Sequence, residues 1–96
     1  MGKNLYISAL LDVYGAFLNE KSRALTEYYY NDDLSLSEIS ENEGITRQGV
    51  SDFVKRSEAQ LFEFEEKLGI CKISAELKRT AANNDANKIF DLIDKL

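Results

Sequence analysis

Ninety-six residues carrying 17 acidic and 12 basic side chains, for a net charge of −5, with no His, no Pro, no Trp and a single Cys, exclude several classes of protein. Without His there is no imidazole base, no His-dependent triad and no His-ligated zinc, and one Cys makes neither a disulfide framework nor a four-Cys metal site. A 44% hydrophobic share beside 30% charged residues fits one soluble globular domain rather than a disordered chain.

No apolar run reaches the 18 residues that a membrane-spanning helix requires, so no membrane insertion is expected. No secretory leader is expected, and Gly2 is followed by Tyr6 where a myristoylation signal wants Ser or Thr. The expected address is a reducing cytoplasm. No cofactor and no enzymatic activity are expected.

In chain order, the periodicity predicts helices throughout and therefore an all-α fold. Ile7, Leu10, Leu11, Tyr14, Phe17 and Leu18 form one helix stripe. Asn19 reads as the N-cap of a second helix ending near Tyr30, with Ala24, Leu25, Tyr28 and Tyr29 inward, and Asn31-Asp32-Asp33 is turn chemistry. Ser35 and Glu38 form a capping box for a short third helix carrying Leu36 and Ile39. Gly44 ends it, Ile45 plugs the core, and Thr46 caps a long helix from Arg47 to Leu68, about 33 Å at 1.5 Å per residue. Gly69 ends that helix. Cys71 to Ala82, with Ile73 and Leu77, follows. Asn83-Asn84-Asp85 marks a break before a last amphipathic stretch with Ile89, Phe90, Ile93 and Leu96.

The stretch from Leu36 to Lys55 holds the most information. A helix-turn-helix needs an apolar anchor, a small residue where its helices cross, a turn glycine, and apolar residues seating the second helix. Ile39, Ser40, Gly44, Ile45 and Val50 supply these at the required spacing, which places the motif at about 35–56. The candidate nucleic-acid-binding residues are then Thr46, Arg47, Gln48, Ser51, Asp52, Lys55 and Arg56, at the exposed start of the second helix. Arg and Lys pair with guanine or phosphate, Gln reads adenine, and the free amides of a helix start hold phosphate. Against this, Glu27, Asp32, Asp33, Glu38, Glu41 and Glu43 fill a stretch without Lys or Arg, so the helix meant to cross the phosphate backbone is negative. Weak or partner-dependent DNA binding is the expectation.

Val50, Val54, Ser57, Leu61, Phe64 and Leu68 recur at steps of four and three, a heptad-type seam that Phe53 and Phe62 widen. Its second half outgrows the helix-turn-helix core. The chain therefore reads as a helix-turn-helix unit over 1–69 and a C-terminal helical extension over 70–96. A homodimer is expected through Leu61, Phe64, Leu68, Ile73, Leu77, Ile89 and Ile93. It would present two recognition helices with two-fold symmetry. The acids Glu58, Glu63, Glu65 and Glu66 line the other, solvated face of the long helix; Cys71 reads as a structural thiol, and the pairs Glu63/Glu66 and Asp91/Asp94 as solvated helix faces.

From Leu18 to Leu68, and in the preceding LLDVYGAFL, the sequence resembles the YlxM family of small bacterial helix-turn-helix proteins. The block from Asp33 to Val50, DLSLSEISENEGITRQGV, is the most specific part, and it is similar, more distantly, to region four of sigma factors. The resemblance implies an all-helical cytoplasmic protein of a Gram-positive bacterium. Because members are encoded beside components of the signal recognition particle, it also implies a regulatory role in that pathway and a particle component as partner. Arg47, Gln48 and Ser51 match the start of the sigma-type recognition helix, and Lys55 and Arg56 its basic continuation. The sequence departs at Ser40, where alanine is commoner, and at Gly49, a weak helix former. The combined expectation is a sigma-region-four-like bundle with a long recognition and connector helix and a C-terminal dimerisation unit. It regulates through nucleic acid or, as the alternative, serves as an adaptor that binds a particle protein or RNA without reading DNA.

Overall fold

The computed structural model describes residues 3–82, 90, 91 and 93–95. Over them the chain is all-α, with α1 (Leu5–Tyr14), α2 (Glu20–Tyr30), α3 (Leu36–Glu43), α4 (Arg47–Leu68) and α5 (Ile70–Ala82). Each boundary has a local cause. The side chains of Asn4, Asn19, Ser35 and Thr46 accept amide hydrogens at the starts of α1 to α4. Gly44 and Gly69 end α3 and α4 at φ of 68° and 66°, the left-handed region that glycine enters without a Cβ clash. The capping box predicted for α3 is complete.

The apolar stripes meet in two clusters. In one, Ile7, Leu10, Leu11 and Tyr14 of α1 join Leu18 and Leu61. In the other, Leu25 of α2, Ile39 of α3, and Val50 and Val54 of α4 close the helix-turn-helix, with Tyr28, Tyr29, Tyr30, Leu34, Leu36, Ile45 and Phe53 packed around them. Between the clusters, Ser57 is fully buried and its Oγ donates to the Ser22 carbonyl at 3.4 Å, beside the Thr26 hydroxyl on the same oxygen at 2.7 Å. These small side chains let α2 cross α4 closely. One long helix thus belongs to both clusters.

Three expectations change. The first stripe does not continue as one α-helix: after Tyr14 the chain tightens into a 3₁₀ turn, Gly15–Phe17. Leu18 still turns inward, but Phe17 is swung out to 65% exposure. Ile45 is half-buried rather than a sealed plug. Leu61, expected at a dimer interface, is fully buried against α1 of its own chain. The heptad seam of α4 is therefore intramolecular core as far as Leu61. Beyond it Phe64 is partly buried, Leu68 is exposed, and Ile73 and Leu77 of α5 are half-buried. Ile93 is exposed. Ile89, Leu96 and the break expected at 83–85 lie outside the described residues.

Candidate nucleic-acid interface

The turn that aims α4 is built from short polar contacts. Gly44 reverses the backbone, and its amide donates to the Ser40 carbonyl at 3.0 Å. The Ser40 hydroxyl donates to the Ile45 carbonyl at 2.6 Å. This serine therefore ties the end of α3 to the residue after the turn. Thr46 Oγ1 accepts from the Gly49 amide at 3.0 Å. A Cβ on residue 49 would lie 3.1 Å from that same oxygen. Gly49, a weak helix former in isolation, here leaves room for the cap.

The start of α4 faces outward. Thr46, Arg47, Gln48, Asp52, Lys55 and Arg56 are exposed, and Ser51 is half-exposed. Six of the seven sequence-derived candidates thus lie on one accessible arc, and Thr46 caps its start. At about 100° per residue, Arg47 and Arg56 sit about 180° apart at its two flanks, with Gln48, Asp52 and Lys55 between them. Gln48 Nε2 donates to Asp52 Oδ1 at 2.9 Å, so these two side chains hold each other along the crest. On the Arg47 side a cleft of about 360 Å³ is lined by Leu36, Arg47, Gln48 and Ser51. On the other side Arg56 lies 5.0 Å from the ring centroid of Phe53, and Lys21 of α2 lies 5.7 Å from the same ring.

Lys21 is the residue that sequence reasoning did not assign. Its place beside Phe53 depends on how α2 crosses α4. Once it is included, the charges sort clearly. Of the seven cations between residues 3 and 69, Lys3, Arg23 and Lys67 pair with Asp33, Glu27 and Glu63. The other four, Lys21, Arg47, Lys55 and Arg56, have no carboxylate within ion-pair distance among the described residues, and all lie on or against the first three turns of α4.

The acidic stretch is also partly neutralised within the chain. Glu27 and Asp33 are in those ion pairs, and Glu38 Oε1 accepts the Ser35 amide at 2.9 Å. That backbone hydrogen bond, helped by the Ser35 hydroxyl, holds the Glu38 carboxyl below its ordinary pKa. Lys3 also donates to the carbonyls of Tyr29 and Leu34, both at 2.7 Å, and lies over the Tyr29 ring. It thereby pins the corner before α3. Asp32, Glu41 and Glu43 remain exposed.

A second polar centre lies at the other end of α4. Glu65, expected on a solvated face, is half-buried and accepts the Tyr14 hydroxyl at 2.5 Å and the Cys71 and Lys72 amides at 3.0 and 3.1 Å. It caps the start of α5. Burial raises its pKa, but these hydrogen bonds together outweigh burial and hold it below the ordinary value. Burial and the bond to Glu65 push the Tyr14 hydroxyl up to about 12. A tyrosine on an apolar stripe, whose hydroxyl needs a partner when buried, was the available signal. Cys71 is half-buried, and burial followed by the charge of Glu65 raises its pKa, which keeps the thiol protonated and weakly nucleophilic.

A capped turn with a left-handed glycine, a short first helix crossing a longer second one, and an outward arc at the second helix's start define a helix-turn-helix protein. The comparisons with known sequences agree. The family described as "Putative helix-turn-helix protein, YlxM / p13 like" matches residues 1–95, and the chain belongs to that family. A UPF0122 protein of Shouchella clausii is 38% identical over 107 residues, covering 100% of this chain and 98% of that one. One from Clostridium kluyveri is 41% identical over 96 residues, covering 100% of this chain and 82% of the relative. Another from Thermoanaerobacter is 51% identical over 73 residues, or 76% of this chain and 62% of its own length. Among the described residues no helix is long and apolar enough to cross a membrane.

Proposed function

We propose that this protein is a regulatory nucleic-acid-binding protein that lays the first turns of α4 in the major groove of DNA and acts in the signal recognition particle pathway. The observation that carries the first part is the sorting of cations. Among the described residues Lys21, Arg47, Lys55 and Arg56 gather at one helix end without carboxylate partners, while the other three cations of the unit are paired. A helix about 10–12 Å across fits a groove about 12 Å wide. Arg47 on one flank and Arg56 with Lys21 on the other would face the two phosphate strands, leaving Gln48 and Ser51 toward base edges. Paired copies would present two such helices, as half-sites require. The pathway assignment is supported by the resemblance alone.

Titration of a DNA duplex at rising salt tests the reading. Each phosphate contact contributes about 0.9 to the slope of log affinity against log salt. Arg47→Ala with Lys55→Ala should flatten that slope by roughly two contacts' worth, and Lys21→Ala by roughly one. Binding absent at low salt would overturn it. A second reading is favoured by Asp32, Glu41 and Glu43, which stay exposed beside the interface in a chain of net charge −5. In it the same arc docks on a signal recognition particle protein or RNA, and duplex DNA gives no salt-sensitive signal.

A further inference from the structure

The first three turns of α4 carry one carboxylate, Asp52, among Arg47, Lys55 and Arg56. A negative charge there repels phosphate, so it works against the binding that the cations favour. Arg56, four residues on, is the ion-pair partner that helix geometry offers Asp52. The structure does not pair them. Arg56 turns to the Phe53 ring, 5.0 Å from its centroid, and its Nε donates at 3.5 Å to the Asp52 backbone carbonyl. Among the described residues no cation lies within ion-pair distance of the Asp52 carboxylate. Its side-chain partner is neutral: Gln48 Nε2 donates to Oδ1 at 2.9 Å.

That contact fixes what both side chains can still offer. The Gln48 amide oxygen would repel the carboxylate, so its nitrogen must face Oδ1. One N–H of Gln48 is then used, and an N–H and the carbonyl oxygen remain, the pair that matches adenine. Asp52 keeps Oδ2, which can only accept. Both side chains are exposed, and at about 100° per residue they lie about 40° apart on the outward arc. In the major groove guanine presents N7 and O6, and thymine O4, all acceptors that a carboxylate repels. Adenine presents its N6 amino group with the N7 acceptor beside it. Cytosine alone presents an amino group, N4, with no acceptor on its own edge.

We infer that Asp52 is a specificity-determining residue: held by Gln48, its carboxylate accepts the N4 amino group of a cytosine in the major groove and turns away the other bases. The inference rests on α4 lying in that groove, as proposed above. Gln48 and Asp52 stand about 6 Å apart along the helix axis, less than two base-pair steps of about 3.4 Å. The cytosine therefore falls within two pairs of the base that Gln48 reads. Away from such a cytosine the same carboxylate only weakens binding.

Selection from a randomised DNA duplex library at low salt tests this, with the wild type, Asp52→Asn and Asp52→Ala. Residue 52 is exposed and joins no core cluster, so circular dichroism should show the same helicity in all three. The wild-type pool should hold one position dominated by cytosine. Asparagine offers a donor and an acceptor together, so Asp52→Asn should turn that position to adenine. Asp52→Ala should leave it unselective and should bind unrelated duplex more tightly than the wild type, because a charge that repels phosphate is gone. Replacing the cytosine in the selected duplex should lower wild-type affinity about 5- to 100-fold and that of Asp52→Ala by less than about twofold. A wild-type consensus without such a cytosine, or one that all three proteins share, would overturn the assignment and leave the DNA reading intact. Weaker binding of Asp52→Ala to every duplex alike would also overturn it, since the residue would then act without regard to sequence. A wild type that retains no duplex overturns the DNA reading itself, and the assignment with it.

Discussion

The two ends of α4 share one helix and differ in what they leave open. At the start, Val50 and Val54 are sealed against α2 and α3, and the outward face is polar and cationic. At the far end only Leu61 is sealed, and Phe62, Leu68 and Phe17 remain exposed around it. The first end has finished its core and spends its surface on charge. The second has more apolar surface than α1 can cover. A helix can therefore carry two unlike faces along its length, and the place where burial stops marks the change.

The largest way to break this comparison is to empty each core in turn. Leu61→Ala and Ile39→Ala should each cost about 2–5 kcal/mol, the range for truncating buried aliphatics. Urea unfolding should give one transition in both variants. Two transitions in either would mean that the ends of α4 unfold separately and are not one structural unit.

Next in size is the Glu65 centre, which joins α5 to α1 and α4. Glu65→Ala leaves the Cys71 and Lys72 amides and the Tyr14 hydroxyl without their acceptor, a loss of about 1–3 kcal/mol. The folded pKa of Glu65 lies below its ordinary value of 4.5. Its contribution is therefore complete above that value and lost as pH falls through the lowered folded pKa. Stability measured across the acid range should fall less steeply in Glu65→Gln than in the wild type, and equal slopes would contradict the assignment. At the other end, Ser40→Ala removes the tie to the Ile45 carbonyl and should cost about 1 kcal/mol. Its effect on thermal midpoint should be the smallest of the set, and a value above that of Leu61→Ala would mean the turn matters more than the core.

Elements governed by nearby residues were legible in the sequence. Asn19, Ser35 with Glu38, Gly44, Thr46 and Gly69 each act through an amide or a backbone angle a few residues away, and all do what their spacing predicts. The outward arc of α4 was legible for the same reason, since the helical repeat turns Gln48, Asp52, Lys55 and Arg56 away from Val50 and Val54. Contacts made across the fold were not. Nothing near Lys21 in sequence indicates Phe53, and nothing near Lys3 indicates the carbonyls of Tyr29 and Leu34. Glu65 looked solvated because its neighbours Glu63 and Glu66 are, whereas its partners are Tyr14 and the start of α5. Leu61 fitted a heptad equally well for a neighbouring helix or a second chain, and periodicity alone does not say which.

The unbroken run of α4 has a geometric consequence. Twenty-two residues without proline, and without glycine after position 49, make a stiff strut in which every added or removed residue turns one end by about 100° relative to the other. Deleting a single residue from 58–60 would shorten the strut by only about 1.5 Å but would point its two extremities in different directions. Angular phase, more than length, sets how the leading turn is presented relative to the tail.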